Sequence, residues 1–268
     1  MERRSPADRP EHLVYCLSID LIRSTEAGLK LTTHRLDIFN KSLTEQITSH
    51  LENLELMDVL LKFTGDGWLL MTDAVDKARA LCCLATIMAS RFQDEMSRET
   101  GISKEKISPL KLAVCAGRDM RVELPDGSSD WVGDSARRAV RAGNCCSPNE
   151  ILVSEPVRDI VLRDFAHESA NVEQRPLDQR LKEGEEALTL YVLEELKLEA
   201  ATELGAFECY VYTLDVIGKK EEAAAAAPQW AEAMRREGIQ PDVVTYNILI
   251  SNTSNYETAE AWVETMRR

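Results

Sequence analysis

Residues 58–72 read Asp58-Val59-Leu60-Leu61-Lys62-Phe63-Thr64-Gly65-Asp66-Gly67-Trp68-Leu69-Leu70-Met71-Thr72. Two β-prone apolar runs flank a Gly-Asp-Gly tip. Glycines supply the backbone angles of a tight turn, so the stretch predicts a hairpin with Asp66 at its tip. Upstream, Leu36, Phe39, Leu43, Ile47 and Leu51 recur at the spacing of one helical face. They predict an amphipathic helix over 33–52, with Lys41, Glu45 and Gln46 turned outward. Before it, EHLVYCLSIDL at 11–21 reads as a central strand ending in Asp20 and the polar turn Arg23-Ser24-Thr25. Downstream, Val75, Ala78, Leu81, Ala85, Met88 and Phe92 predict a second helix over 75–96, and 110–116 returns to strand. The order β-α-β-β-α-β predicts an α+β, ferredoxin-like unit, with two crossover helices on one side of a four-stranded antiparallel sheet. In that arrangement the end of the first strand meets the hairpin at one edge, which brings Asp20 and Asp66 together.

Further αβ elements follow. A loop carries Pro125-Asp126-Gly127, a helix is predicted over 134–142, a strand over 151–153, a helix to about Phe165, and a last strand over 188–193. The expected organisation is a flexible leader over 1–10, one αβ domain over 11–196, and a tail over 205–268. In the tail, Trp230-Ala231-Glu232-Ala233-Met234 recurs as Trp262-Val263-Glu264-Thr265-Met266, and Tyr212-Thr213-Leu214 as Tyr246-Asn247-Ile248. These shifts of 32 and 34 residues mark an α-helical repeat. Residues 238–247, GIQPDVVTYN, resemble the junction between pentatricopeptide repeats.

The chain has 268 residues, 44% hydrophobic and 29% charged, enough for a self-sufficient core. A formal charge of −14 argues against broad affinity for nucleic acid or anionic lipid. Seven cysteines, with Cys82-Cys83 and Cys145-Cys146 adjacent, suggest neither a disulfide framework nor a zinc site. The longest apolar run, 80–90, lies between Arg79 and Arg91 and falls short of the roughly 18 residues of a membrane span. The opening residues lack a signal-peptide core, so the expected location is cytoplasmic.

Carboxylates at a strand end and a hairpin tip suit a pair of hard divalent cations, which take oxygen ligands and clamp phosphate. Singly, each has an ordinary explanation, Asp66 as a turn residue and Asp20 as a strand-end cap. Arg137 and Arg141, four apart on the predicted helix, leave from one face and suit a phosphate, or else a solvated basic face. Lys182 by itself is a loop lysine.

Taken in order, SIDLIRST at 18–25, KFTGDG at 62–67, DWVGDSARRAVR at 130–141 and EILVS at 150–154 resemble the successive motifs of class III nucleotidyl cyclases over residues 11–196. The resemblance implies a triphosphate substrate and two Mg²⁺ or Mn²⁺ ions per active site, held by Asp20, Leu21 and Asp66. One ion would activate the ribose 3′-hydroxyl; the other would hold the β- and γ-phosphates. Lys62 and Asp130 fall on the base-reading positions. Arg141 matches the arginine that stabilises the α-phosphate in the transition state, and Lys182 matches a lysine on the triphosphate. Arg137 stands where the family has an asparagine for the ribose, and adds charge instead. Because base and arginine contacts come from one subunit and metals from the other in the family, a head-to-tail homodimer with shared active sites is expected.

Lys62 and Asp130 are a donor and an acceptor, the pair that adenine or a cytosine edge requires. Phe63 and Trp68 bracket the metal turn, where bulk in the base pocket favours a smaller ring; packing within the hairpin is the plainer explanation. KFTGDGWL is similar to the stand-alone pyrimidine cyclases of bacterial antiphage (Pycsar) systems. That likeness implies cyclic UMP or cyclic CMP as product and a separate effector that senses it; an adenylate cyclase making cyclic AMP is the alternative. Two other readings are a degenerate fold that binds nucleotide without turnover, and an RNA- or protein-binding module using the repeats. Two repeats in an acidic chain offer little hold on RNA, so the tail is expected to pack on the catalytic unit or contact a protein.

Overall fold

β1 (Glu11–Leu21) forms the spine of the fold. Its buried run from Val14 to Ile19 sends Tyr15, Leu17 and Ile19 to one face of the sheet and Val14 and Cys16 to the other. A strand buried on both faces reads as continuously apolar, which is why 11–21 is so legible. The computed structural model describes residues 10–22, 33–65, 67–165, 172–175, 188–193, 246, 250 and 256–266. The leader and most of the tail expected from the sequence lie outside these residues.

The hairpin forms as expected, from β2 (Leu60–Phe63) and β3 (Gly67–Thr72). It is closed by Thr64 N–H donating to the Gly67 carbonyl at 2.9 Å. β3 and β4 (Leu110–Glu123) flank β1, both antiparallel to it. The order β2-β3-β1-β4 is that of the ferredoxin-like unit, and α1 (Thr33–Asn53) and α2 (Val75–Thr100) cross over on one side. Leu43, Ile47 and Leu51 of α1 and Leu81, Leu84, Met88 and Phe92 of α2 make one core with Leu17, Leu70 and Leu112. Each such side chain, fully withdrawn from water, contributes about 1.5–3 kcal/mol.

One reading of α1 is corrected. Gln46 is buried, in line with Ser42 and His50, because this flank of the helix faces α2 rather than water. His50 Nε2 lies 3.9 Å from Glu95 of α2, and Arg91 Nε lies 3.2 Å from the same carboxylate. The His50 imidazole beside it holds the Glu95 carboxyl below its ordinary range.

The sheet continues past β4 through β6 (Ile151–Ser154), parallel to β4, then β8 (Leu190–Leu193) and β7 (Val172–Arg175), giving an eight-stranded mixed sheet among the described residues. α4 (Glu155–Phe165) joins the α1–α2 core through Val157, Ile160 and Val161. Two strands appear where none is predicted. β5 (Ser129–Gly133) folds back on the far half of β4 around Pro125-Asp126-Gly127, and β7 pairs with β8. Both are short and polar, so backbone pairing rather than apolar patterning makes them strands.

α3 (Ser135–Gly143) packs on the opposite sheet face through Ala139 and Ala142, over Val14, Cys16, Ala113 and Cys115. Burial there raises the thiols: Cys115 and Cys146 to about 12, and Cys16 well above its ordinary value, which suits packing rather than nucleophilic chemistry. From the tail, Tyr246 is buried in the α1–α2 core, and Ile250 and Trp262 of α5 (Tyr256–Met266) pack against it. Among the described residues, no helix is long and apolar enough to cross a membrane.

Candidate active site

Strand alternation decides which side chains share a surface. Asp20 follows Val14, Cys16 and Ser18 at even positions of β1, so it emerges on the sheet face that carries α3. In register it stands opposite Gly67 of β3 and Lys111 of β4. A methyl group at position 67 would collide with the Ile19 carbonyl and lie 3.3 Å from Asp20 Oδ1, so glycine keeps the space beside this carboxylate open. Asp66 lies outside the described residues; its neighbours Gly65 and Gly67 are described, and the latter is the partner of Asp20. Leu21 ends β1 opposite Leu110.

Lys111 is a residue the sequence reading missed. Its Nζ lies 3.8 Å from Asp20 Oδ2, with the two side chains 22% and 31% exposed. A carboxylate, main-chain oxygens and an open approach beside Gly67 fit a hard divalent cation. The adjacent ammonium fits the oxygens of a polyphosphate.

On the same face, Lys62 of β2 stands opposite Leu69 and forms an ion pair with Asp130 of β5. Asp130 Oδ1 also accepts from the Trp131 N–H at 2.6 Å. Thus the structure brings together the two residues to which the resemblance assigns base reading, 68 positions apart in the sequence. Asp130 lines a cavity of about 480 Å³ together with Leu60, Met71, Thr72, Arg121 and Trp131. Phe63 does not share this location. It alternates to the other face of β2, 56% exposed, with its ring 5.0 Å from Trp68, and is absent from the cavity wall. The period of a strand turns Phe63 and Lys62 to opposite sides of β2.

α3 carries the two arginines. Arg137 is exposed and forms an ion pair with Asp134, and Arg141, one helical turn on, is half-buried in the last turn. The start of this helix is fixed by a second residue missed from the sequence. Asp119 of β4, 1% exposed, accepts from Ser135 N–H at 2.9 Å and from the Ser135 hydroxyl. Gly133 permits that approach, since a Cβ there would collide with the Arg118 carbonyl and the Asp119 carboxylate. Asp119→Ala removes the acceptor and leaves the buried Ser135 groups unpaired. The expected result is a loss of about 1–3 kcal/mol in urea denaturation, with Asp119→Asn retaining part of it.

The signal for Lys111 and Asp119 was present but faint. Odd positions from 111 to 121 of β4 share the α3 face, and the polar residues among them mark where it meets solvent or a helix end. Lys182 lies outside the described residues. Among the described residues, no group of three or more His, Cys, Asp or Glu side chains is placed to hold a metal ion.

No family model matches the chain, and no curated relative does. Solved structures do match. The adenylyl cyclase CyaB from P. aeruginosa aligns over 72% of this chain and 100% of its own, at 17% identity and a TM-score of 0.56. The guanylyl cyclase Cya2 aligns over 70% of this chain and 94% of its own, at 12% identity and a TM-score of 0.57. The catalytic core of a rhodopsin-guanylyl cyclase with converted specificity, solved with ATPαS, aligns over 71% of this chain and 100% of its own, at 17% identity and a TM-score of 0.53. The mixed sheet, the crossover helices on one face and α3 on the other are therefore the fold of the class III adenylyl and guanylyl cyclase catalytic domains.

Proposed function

We propose that the chain is a nucleotide cyclase, converting a nucleoside triphosphate into its 3′,5′-cyclic monophosphate and pyrophosphate as a second messenger for a separate effector. The observations that carry this reading are two pairs that the fold assembles, Asp20 with Lys111 on the sheet face that bears α3 and Lys62 with Asp130 brought to it by β5. Two Mg²⁺ or Mn²⁺ ions at Asp20, the Leu21 carbonyl and Asp66 would supply activation of the 3′-hydroxyl and neutralisation of the triphosphate.

The remaining work falls to side chains. Lys111 binds triphosphate oxygens beside Asp20. Lys62 donates to the acceptor on the base edge, while Asp130 accepts from the neighbouring donor. In the proposed homodimer, Lys62, Asp130 and Arg141 come from the subunit opposite the one that supplies Asp20 and Asp66; Arg141 faces the α-phosphate, with Arg137 and Lys182 adding charge along the phosphates. Charge developing on phosphoryl oxygens is best met by cations already held in place, since no reorganisation is then needed. Fixed position of the base and phosphates aligns the 3′-oxygen for in-line attack.

Adenine and cytosine both present an acceptor beside an amino donor. The resemblance to antiphage pyrimidine cyclases favours a pyrimidine, giving cyclic CMP or cyclic UMP. ATP is the second reading, favoured by a cavity of about 480 Å³, which has room for a purine. Burial of Tyr246 in the core supports a tail that packs on the catalytic unit rather than one that reads RNA. The test is incubation with each of the four triphosphates and Mn²⁺, with products separated by mass. One cyclic monophosphate is expected to dominate, with pyrophosphate in equal amount. No cyclic product from any of the four would reject the cyclase reading.

A further inference from the structure

Arg121, on the same face of β4 as Lys111 and Asp119, lines the cavity beside Asp130. Its guanidinium is held from two sides. Nε and Nη2 both donate to Ser129 Oγ, at 3.0 and 2.9 Å, and its carbon lies 5.8 Å from the centre of the Trp131 ring. Ser129 and Trp131 flank Asp130 in β5, so one short strand presents the acidic base reader and orients the arginine beside it. No carboxylate among the described residues pairs with Arg121, although Asp58, Asp73 and Asp130 line the same cavity. Asp58 is taken by Lys77, Asp73 by His12 at 3.2 Å, and Asp130 by Lys62. The Nη1 hydrogens and one on Nη2 are left to the cavity.

A guanidinium has donors and no acceptor. In a cavity that holds a base, it recognises a carbonyl oxygen. Cytosine and uracil carry one beside the ring nitrogen, and guanine carries one as well; adenine offers only ring nitrogens as acceptors. Resting on the cyclase reading, we propose that Arg121 is a specificity-determining residue that selects a carbonyl-bearing pyrimidine triphosphate over ATP. Arg121 is exposed, so water can meet its donors when a base does not, and the selection rests on one charge-assisted hydrogen bond gained with the pyrimidine.

The test is calorimetric binding of 3′-deoxy-CTP, 3′-deoxy-UTP and 3′-deoxy-ATP, which lack the attacking hydroxyl, to the full-length wild type, Arg121→Gln, Arg121→Lys and Ser129→Ala. Wild type is expected to favour a pyrimidine analogue over 3′-deoxy-ATP by at least about tenfold, the scale of one charge-assisted hydrogen bond. Arg121→Gln should erase most of that ratio, and Arg121→Lys should keep part of it. Ser129→Ala, which removes only the orienting oxygen, should lower the ratio in the same direction. A wild type that prefers the ATP analogue, or an Arg121→Gln protein that weakens all three alike or keeps the wild-type ratio, would overturn the proposal. Turnover of natural triphosphates, run alongside, separates the two failures. Cyclic product with no Arg121-dependent base ratio rejects this inference alone, whereas neither binding nor product rejects both.

Discussion

Asp20→Ala is expected to lower cyclic-nucleotide formation by at least about a thousandfold while the melting temperature stays within a few degrees of wild type. The expected loss follows from charge. A hard divalent cation is held by oxygen, and this position supplies a full negative charge where the strand ends. Metal stabilisation in phosphoryl transfer amounts to several kcal/mol, and each 1.4 kcal/mol is a factor of ten. The fold is spared because Asp20 is 31% exposed and its neighbour Lys111 can turn to water, so no charge is stranded in a core. Two readings are needed, product formed at saturating Mn²⁺ and Mn²⁺ bound to nucleotide-free protein by electron paramagnetic resonance. Turnover and Mn²⁺ binding at wild-type levels would remove Asp20 from the metal set. Asp66→Ala should behave in the same way.

The second large effect is complementation between two dead proteins. Asp20→Ala and Arg141→Ala homodimers should each be nearly inert, because every shared site in them lacks either a metal carboxylate or the arginine. After subunit exchange of an equal mixture, half of the dimers are mixed, and each mixed dimer has one intact site. Activity should therefore return to about a quarter of wild type, an outcome that only a closed two-fold dimer with sites built from both copies allows. Differently tagged subunits show whether exchange occurred. A co-purified mixture as inert as its parents would mean that one chain supplies both sets of groups.

Some elements were legible because burial writes itself into residue type. β1, α1, α2 and the 60–72 hairpin carry either continuous apolar runs or helical spacing, and the structure places each within a few residues of its expected range. β5 and β7 were not legible. Their residues are mostly polar, and only hydrogen bonding to β4 and β8 makes them strands. β5 matters most for the site, since it delivers Asp130 to Lys62. Phe63 and Lys62 are neighbours in sequence, and only the strand's period of two shows that their side chains leave opposite faces, with Phe63 packed against Trp68.

The order of strands and helices, the hairpin turn and the residue types able to meet cations and phosphate were determined by the sequence alone, because apolar spacing and glycine placement are local properties. Which polar residues share a surface was decided only by the tertiary structure. Strand register set Lys111 beside Asp20, the fold-back of β5 set Asp130 and Arg121 at one cavity, and Asp119 anchored the helix that carries Arg137 and Arg141. Register depends on pairings between segments distant in the chain, and no local pattern encodes them.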